Sequence, residues 1–128
     1  MKTEVSTAVN ELRAQFQPSE VIAREDGEGG AYIIIENVFI GNVLTPSRSW
    51  VGFHISALYP YADIYPLFID GKLSRADGAA LQAPLSVGHA FESRQAIQVS
   101  RRNSTATNAG MKAVFKVTSV INYLEKQA

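Results

Sequence analysis

Few residues in this sequence could carry out chemistry, and they are widely spaced. There is no cysteine, which rules out disulfides, thiolate metal sites and a thiol nucleophile in the chain as given. The two histidines are His54 and His89. His54 occupies the polar side of a strand pattern, where a solvated or hydrogen-bonded ring is expected. His89 lies in an irregular segment, and alone it makes neither a metal site nor a catalytic pair.

The serines and carboxylates carry no catalytic signature. No G-x-S-x-G elbow occurs, and the spacing of Asp63, Asp70 and Asp77 matches no known arrangement of paired acids. The stretch "DGEGG" at 26–30 precedes a strand pattern and lacks the lysine of a phosphate loop, so it predicts a plain turn. The sequence therefore predicts no cofactor and no metal.

The stretch "RQAIQVSRRNSTATNAG" at 94–110 is the most distinctive. It reads as a strand that runs into Arg101 and Arg102 and then into small polar residues. Adjacent residues of a strand point to opposite faces, so at most one arginine serves a given site. Two interpretations stay open. The segment is a charged strand end with a helix-capping loop, or one guanidinium binds a carboxylate or phosphate with help from hydroxyls such as Ser100 and Ser104.

The elements that must position these residues follow from hydrophobic periodicity. Val5, Val9, Leu12 and Phe16 form one face of a helix that Pro18 ends. Three strands in an antiparallel meander are predicted after it. They are "EVIAR" (20–24), "AYIIIENVFIG" (31–41) and "SWVGFHISALY" (49–59), with Val51, Phe53 and Ile55 turned inward.

The rest of the chain is less regular. "IYPLFI" (64–69) follows two prolines, which favour an edge strand at best. Residues 70–91 show no sustained period, whereas "AIQVS" (96–100) predicts a short strand. The apolar spacing from Met111 to Leu124 predicts a second helix, with Thr107 or Asn108 as its cap. The fold class is α+β: an N-terminal helix, an antiparallel β-meander, an irregular segment that resembles an active-site region, and a C-terminal helix.

Composition narrows the class of protein further. The 128 residues suit a single domain spanning 1–128, and 46% hydrophobic with 19% charged residues indicates a globular chain. Twelve basic residues balance twelve acidic ones, so nucleic acid is not expected as a partner unless a basic patch is local. No signal peptide or membrane span is predicted, and we expect a cytoplasmic protein without membrane contact.

The order of elements resembles the ubiquitin-conjugating enzyme fold, which RWD domains and cysteine-free variants share. The match consists of the first helix, the strands up to Tyr59-Pro60, then Pro66 and Phe68, then His89, and the last helix. "QVSRRN" (98–103) is similar to a motif of bacterial stand-alone members, some of which are encoded in anti-phage operons. The resemblance covers most of the chain as a pattern and is weaker residue by residue.

The resemblance implies a site. His89 would take the place of the family's histidine, and Ala96 is the position expected for the catalytic cysteine. Asn103 would be a candidate for stabilising the oxyanion, while Arg101, Arg102, Ser100 and Ser104 would bind a partner. The implied partners are an activating enzyme, a ubiquitin-like modifier or a nucleotidyltransferase C-terminal tail, and perhaps a second copy of the chain.

The alanine at position 96 leaves three explanations open. The chain is a natural cysteine-free variant that binds without chemistry, its nucleophile has been replaced, or the resemblance covers the fold alone. An alanine cannot form a thioester, so the chain as given is inactive for that chemistry. Two other classes of function remain. One is a non-catalytic interaction domain that uses exposed apolar residues such as Trp50 and Tyr61, and the other is a small hydrolase or ligand-binding domain centred on residues 70–91.

Overall fold

The computed structural model describes residues 1–102 and 112–126. Within them the chain forms two helices and eight strands. They are α1 (Thr3–Gln15), β1 (Val21–Glu25), β2 (Ala31–Phe39), β3 (Leu44–Thr45), β4 (Arg48–Ile55), β5 (Leu67–Asp70), β6 (Ser74–Arg75), β7 (Leu85–Phe91), β8 (Arg94–Val99) and α2 (Ala113–Lys126). The predicted α+β class is confirmed: one helix precedes the antiparallel strands along the chain and the other follows them.

The two helices bury their apolar faces in one core. In α1 the predicted face is confirmed for Val5, Val9 and Leu12, which are fully buried. In α2 the stripe includes Val117, Ile121 and Leu124. Each large apolar side chain buried in this way contributes about 1.5–3 kcal/mol relative to an exposed one. The proposed caps of the second helix, Thr107 and Asn108, and Met111 lie outside the described residues.

The main sheet has six antiparallel strands in the order β1-β2-β4-β5-β8-β7. The meander of β1, β2 and β4 is confirmed, and the "DGEGG" turn joins its first two strands. The prediction of an edge strand at "IYPLFI" was wrong, because β5 pairs with β4 on one side and with β8 on the other. Pro66 precedes the strand and so removes no hydrogen bond from the ladder.

Residues 70–91 are irregular only in part. β7 occupies the last seven of them and pairs with β8, with a register shift between Ser86 and His89. Most of its side chains are exposed, and a bulge that contains Gly88, whose φ is 85°, interrupts the alternation of side chains between the two faces of the sheet. The absence of a sustained period in the sequence reflects this bulged edge strand.

The sheet face opposite the helices carries a smaller apolar cluster. Its buried members are Ile34, Trp50, Phe91 and Ala96, with Tyr32 and Phe68 packed at its margin. The Phe91 ring lies over Gly52, where a Cβ would come within 2.6 Å of it. The expectation that Trp50 is exposed was wrong. It is 8% exposed, because Phe91 stacks against it at 6.3 Å between ring centroids.

Candidate functional site

Ala96 and His89 lie side by side in the sheet. They are directly opposed residues of β8 and β7, so the structure brings the proposed histidine next to the proposed nucleophile position. Ala96 is, however, only 1% exposed, in a strand that is paired on both sides and within the apolar cluster of the second face. A thiol at this position would have no access to an incoming thioester unless the cluster opened.

His89 has a different partner. Its Nε2 lies 3.0 Å from the Oγ of Ser86, three residues earlier on the bulged strand. A serine-histidine pair needs a third group that orients the ring and donors that stabilise an oxyanion. Among residues 1–102 and 112–126 no carboxylate pairs with His89. The pair therefore lacks the orienting group that hydrolysis of this kind uses.

His54 serves the turn between β1 and β2. Its Nε2 lies 2.7 Å from Oδ2 of Asp26, and its ring stacks on Tyr32 with centroids 4.5 Å apart. The other oxygen of Asp26 accepts hydrogen bonds from the backbone N–H groups of Glu28 and Gly30. The His54 contact and these backbone donors hold the pKa of Asp26 below its usual value. A carboxylate with all these partners fixes a loop and is poorly placed to act as a base.

The residues predicted to bind a partner are placed differently from one another. Ser100 is engaged within the protein, because its N–H donates to the carbonyl of Pro84 and its Oγ accepts from the Gln98 amide. Arg101 and Arg102 are exposed. Asn103 and Ser104 lie outside the described residues. No group of three metal-ligating side chains occurs in the part of the chain that the structure describes.

The two arginines lie beyond the end of β8, outside the predicted strand alternation, and they point to different tyrosines. The guanidinium carbon of Arg101 lies 4.2 Å from the centre of the Tyr123 ring on α2. That of Arg102 lies 3.9 Å from the centre of the Tyr65 ring. Both distances are well within the range of a cation–π contact.

A surface that the sequence revealed only in part lies after β4: the predicted exposure of Tyr61 is confirmed, whereas that of Leu58 was not predicted. Leu58 is 70% exposed and Tyr61 is 68% exposed, and only two residues separate them. They border a groove of about 300 Å³ whose lining also includes Lys2 and Glu4 at the start of α1. We call Leu58, Tyr61 and this groove the 58–61 surface.

A second groove of about 340 Å³ adjoins the 58–61 surface. It runs between α1 and Tyr59-Pro60 and reaches Lys112, the residue before α2. The two grooves share Glu4 and Tyr59 in their linings. Together they extend the exposed apolar pair along α1.

The segment that carries Leu58 and Tyr61 is fastened at several points. The Tyr59 hydroxyl accepts a hydrogen bond from the backbone N–H of Ala113, at 3.0 Å, and burial raises the pKa of this tyrosine. The ammonium group of Lys2 donates to the carbonyl of Ala57. Backbone bonds close two consecutive turns, from Tyr59 to Ser56 and from Tyr61 to Leu58.

A buried ion pair holds the end of the same segment. Lys116 of α2 is 2% exposed, and its Nζ lies 3.1 Å from Oδ1 of Asp63 and 2.8 Å from the carbonyl oxygen of Arg101. One lysine thus ties the segment after β4 and the chain after β8 to the helix. The sequence carried no signal for it, because Lys116 is not three or four residues from any position of the predicted apolar stripe, and the face that α2 buries is rotated relative to that stripe.

Comparisons of the chain with protein-family models, curated proteins and solved structures gave no match. In the described ranges, 1–102 and 112–126, neither helix has the length and apolar character needed to cross a bilayer.

Proposed function

We propose that this chain is a non-catalytic protein-interaction domain with a ubiquitin-conjugating-enzyme-like layout, and that its partner binds at the 58–61 surface. The observation that carries the proposal is the exposure of Leu58 and Tyr61 on a rigidly held segment. Exposed apolar side chains that lie together are typical of binding surfaces. An ordered segment also loses little conformational entropy when a partner binds.

The composition of this surface suits a protein partner. Tyr61 is of a type enriched among the residues that dominate interface energetics, and the neighbouring Leu58 adds exposed apolar contact area. The surrounding charges are balanced, since Lys2 and Lys112 are set against Glu4 and Glu11, and Lys112 pairs with Glu11 at 3.3 Å. A balanced polar rim around apolar anchors is the usual anatomy of a specific interface.

The first partners to test are those that the resemblance implies: an activating enzyme, a ubiquitin-like modifier or a nucleotidyltransferase C-terminal tail, in a bacterial conjugation or anti-phage pathway in the cytoplasm. A second copy of the chain is a further candidate. None of these partners requires the chain to carry a thioester.

A carrier role, in which a cysteine at position 96 accepts a modifier, is a second candidate. One observation favours it, namely the position of His89 directly across from Ala96. The burial of Ala96 weighs against it, because thioester exchange needs an accessible thiolate. We therefore place it second.

Site-specific photo-crosslinking in the native cell tests the interaction proposal. A benzophenone amino acid at position 61 should give a covalent adduct with one protein, and Leu58→Ala in the same chain should abolish that adduct. The control is the same amino acid at Val87, which is similarly exposed on the edge strand β7. No adduct at position 61, or the same adducts at both positions, would refute the proposal.

A further inference from the structure

The arginine pair that follows β8 is the remaining feature with an unassigned role. Arg101 and Arg102 are exposed, whereas most other arginines of the sheet region are bound to acids. Arg24 pairs with Glu92, for example, and Arg94 with Glu36.

Neither Arg101 nor Arg102 has a carboxylate partner among residues 1–102 and 112–126. The Arg101 carbonyl accepts a hydrogen bond from Lys116, and that lysine pairs with Asp63. Because Lys116 and Asp63 neutralise each other, this pair does not compensate the charges of the two guanidinium groups.

The stacking on tyrosines fixes the guanidinium groups without using their hydrogen-bonding edges. A guanidinium that lies over a ring keeps its N–H groups in the plane, where they can bind a carboxylate or phosphate in a bidentate way. Tyr65 and Tyr123 thus hold Arg102 and Arg101 in place before any ligand arrives. Less side-chain entropy is then lost on binding.

The arginine pair and the 58–61 surface belong to one stretch of the protein. Tyr65, beneath Arg102, is four residues from Tyr61, which limits their separation along the chain to about 14 Å. The Lys116 and Asp63 pair links the two features through one buried contact. A single peptide segment of the partner can span this distance.

We infer that Arg101 and Arg102 bind an acidic segment of the same partner whose apolar residues cover Leu58 and Tyr61, an inference that rests on the proposed function. The ligand chemistry is a short peptide that carries both apolar side chains and Asp or Glu. A nucleic acid is a poorer fit, because the guanidinium groups already cover the faces of Tyr65 and Tyr123 on which a base would stack. Neutral net charge also provides no broad field for a phosphate backbone.

The test uses the full chain, labelled with ¹⁵N, and a synthetic peptide of two leucines followed by four glutamates. Titration should shift the backbone amide signals of Leu58, Tyr59 and Tyr61 and the side-chain Nε–H signals of both arginines. In the double variant Arg101→Gln/Arg102→Gln the dissociation constant should rise about fivefold to tenfold, the loss expected for two exposed charge contacts. A rise in salt to about 0.5 M should weaken wild-type binding, because screening acts on exposed charges.

The matched control is Arg48→Gln, since Arg48 is also exposed beside an aromatic ring, that of Phe39. It should leave the affinity unchanged. Equal affinity of the double variant and the Arg48 variant would overturn the inference. So would equal binding of a peptide with glutamine in place of glutamate, or tighter binding of oligothymidylate or pyrophosphate than of the peptide.

Two further variants separate the inference from the proposed function. If Leu58→Ala/Tyr61→Ala weakens binding and the arginine variant does not, the inference fails while the proposed function stands. If the arginine variant weakens binding and Leu58→Ala/Tyr61→Ala does not, the proposed function fails, and with it the claim that one partner segment covers both the arginines and the 58–61 surface. Tyr65→Leu should lower the affinity about threefold, because it removes the ring that positions Arg102. Tyr65→Phe keeps the ring and should leave the affinity unchanged. Equal effects of the two substitutions would refute the positioning role of Tyr65.

Discussion

Position 96 offers a sharp test of whether this fold can carry a thiol nucleophile. The chain has no cysteine, so Ala96→Cys introduces a single thiol that any thiol reagent reports without background. Ala96 is 1% exposed, and the structure predicts that the new thiol reacts only after the apolar cluster around it opens. The matched control is Ala90→Cys, on the exposed side of the same hairpin.

The contacts that must break set the size of the effect. Opening exposes the Phe91 ring, at a cost of about 1.5–3 kcal/mol. It also breaks the bidentate pair between Arg24 and Glu92, which joins the tip of the hairpin to β1. A cost at the upper end of the range for the ring, about 3 kcal/mol, corresponds to a reaction about a hundredfold slower than at an open position.

The assay is the rate of reaction with a chromogenic disulfide reagent under native conditions. Ala96→Cys should react about a hundredfold more slowly than Ala90→Cys, and the two rates should converge in concentrated guanidinium chloride. Urea unfolding should show that the variant remains folded, with a loss of about 1–3 kcal/mol from the added sulfur atom. A native rate within about fivefold of the control, in a folded variant, would refute the argument from burial and make the carrier role the better candidate.

Three other predictions concern stability and titration. Lys116→Met should lower the free energy of unfolding by about 3 kcal/mol in urea melts, because it leaves Asp63 without its buried ammonium partner; a loss under 1 kcal/mol would contradict the role given to the pair. Gly52→Ala should lower the free energy of unfolding by about 1–3 kcal/mol, since its Cβ would lie 2.6 Å from the Phe91 ring. An unchanged midpoint of urea unfolding would show that this packing is wrong. By carboxyl NMR, the pKa of Asp26 should lie below 3.8, so its contribution to stability is present above pH 3.8 and is lost as the pH falls through its folded pKa. His54→Phe removes the main cause and should move that pKa back up. An unchanged pKa in this variant would refute the assigned cause.

Much of the fold could be predicted from the sequence because its local signals are strong. Val5, Val9 and Leu12 share one helical face, and the β-branched run of β2 has no plausible alternative to a strand. The position of β5 could not be predicted in the same way. Its two neighbours, β4 and β8, are set by long-range pairing, and the adjacent Pro66 suggested an edge that the pairing overrides.

The candidate site was harder to predict than the fold. The juxtaposition of His89 with position 96 was expected from the resemblance, and the register of β7 and β8 places them opposite each other. Burial of Ala96 and Trp50 could not be foreseen, because it depends on the Phe91 ring lying over Gly52 on a distant strand. Leu58 had no periodic pattern to mark it, and its exposure follows from turns that only the folded chain defines.

The central claim is that the 58–61 surface binds a protein partner. The most direct test is to purify the partner that cross-linking identifies and to titrate it with this chain. Isothermal calorimetry should give a dissociation constant at least about thirtyfold weaker for Leu58→Ala/Tyr61→Ala than for the wild-type chain, because two apolar anchors are lost. The matched control, Phe39→Ala/Val87→Ala, removes two other exposed apolar side chains and should bind like the wild type. Equal affinities for the two double variants would contradict the claim.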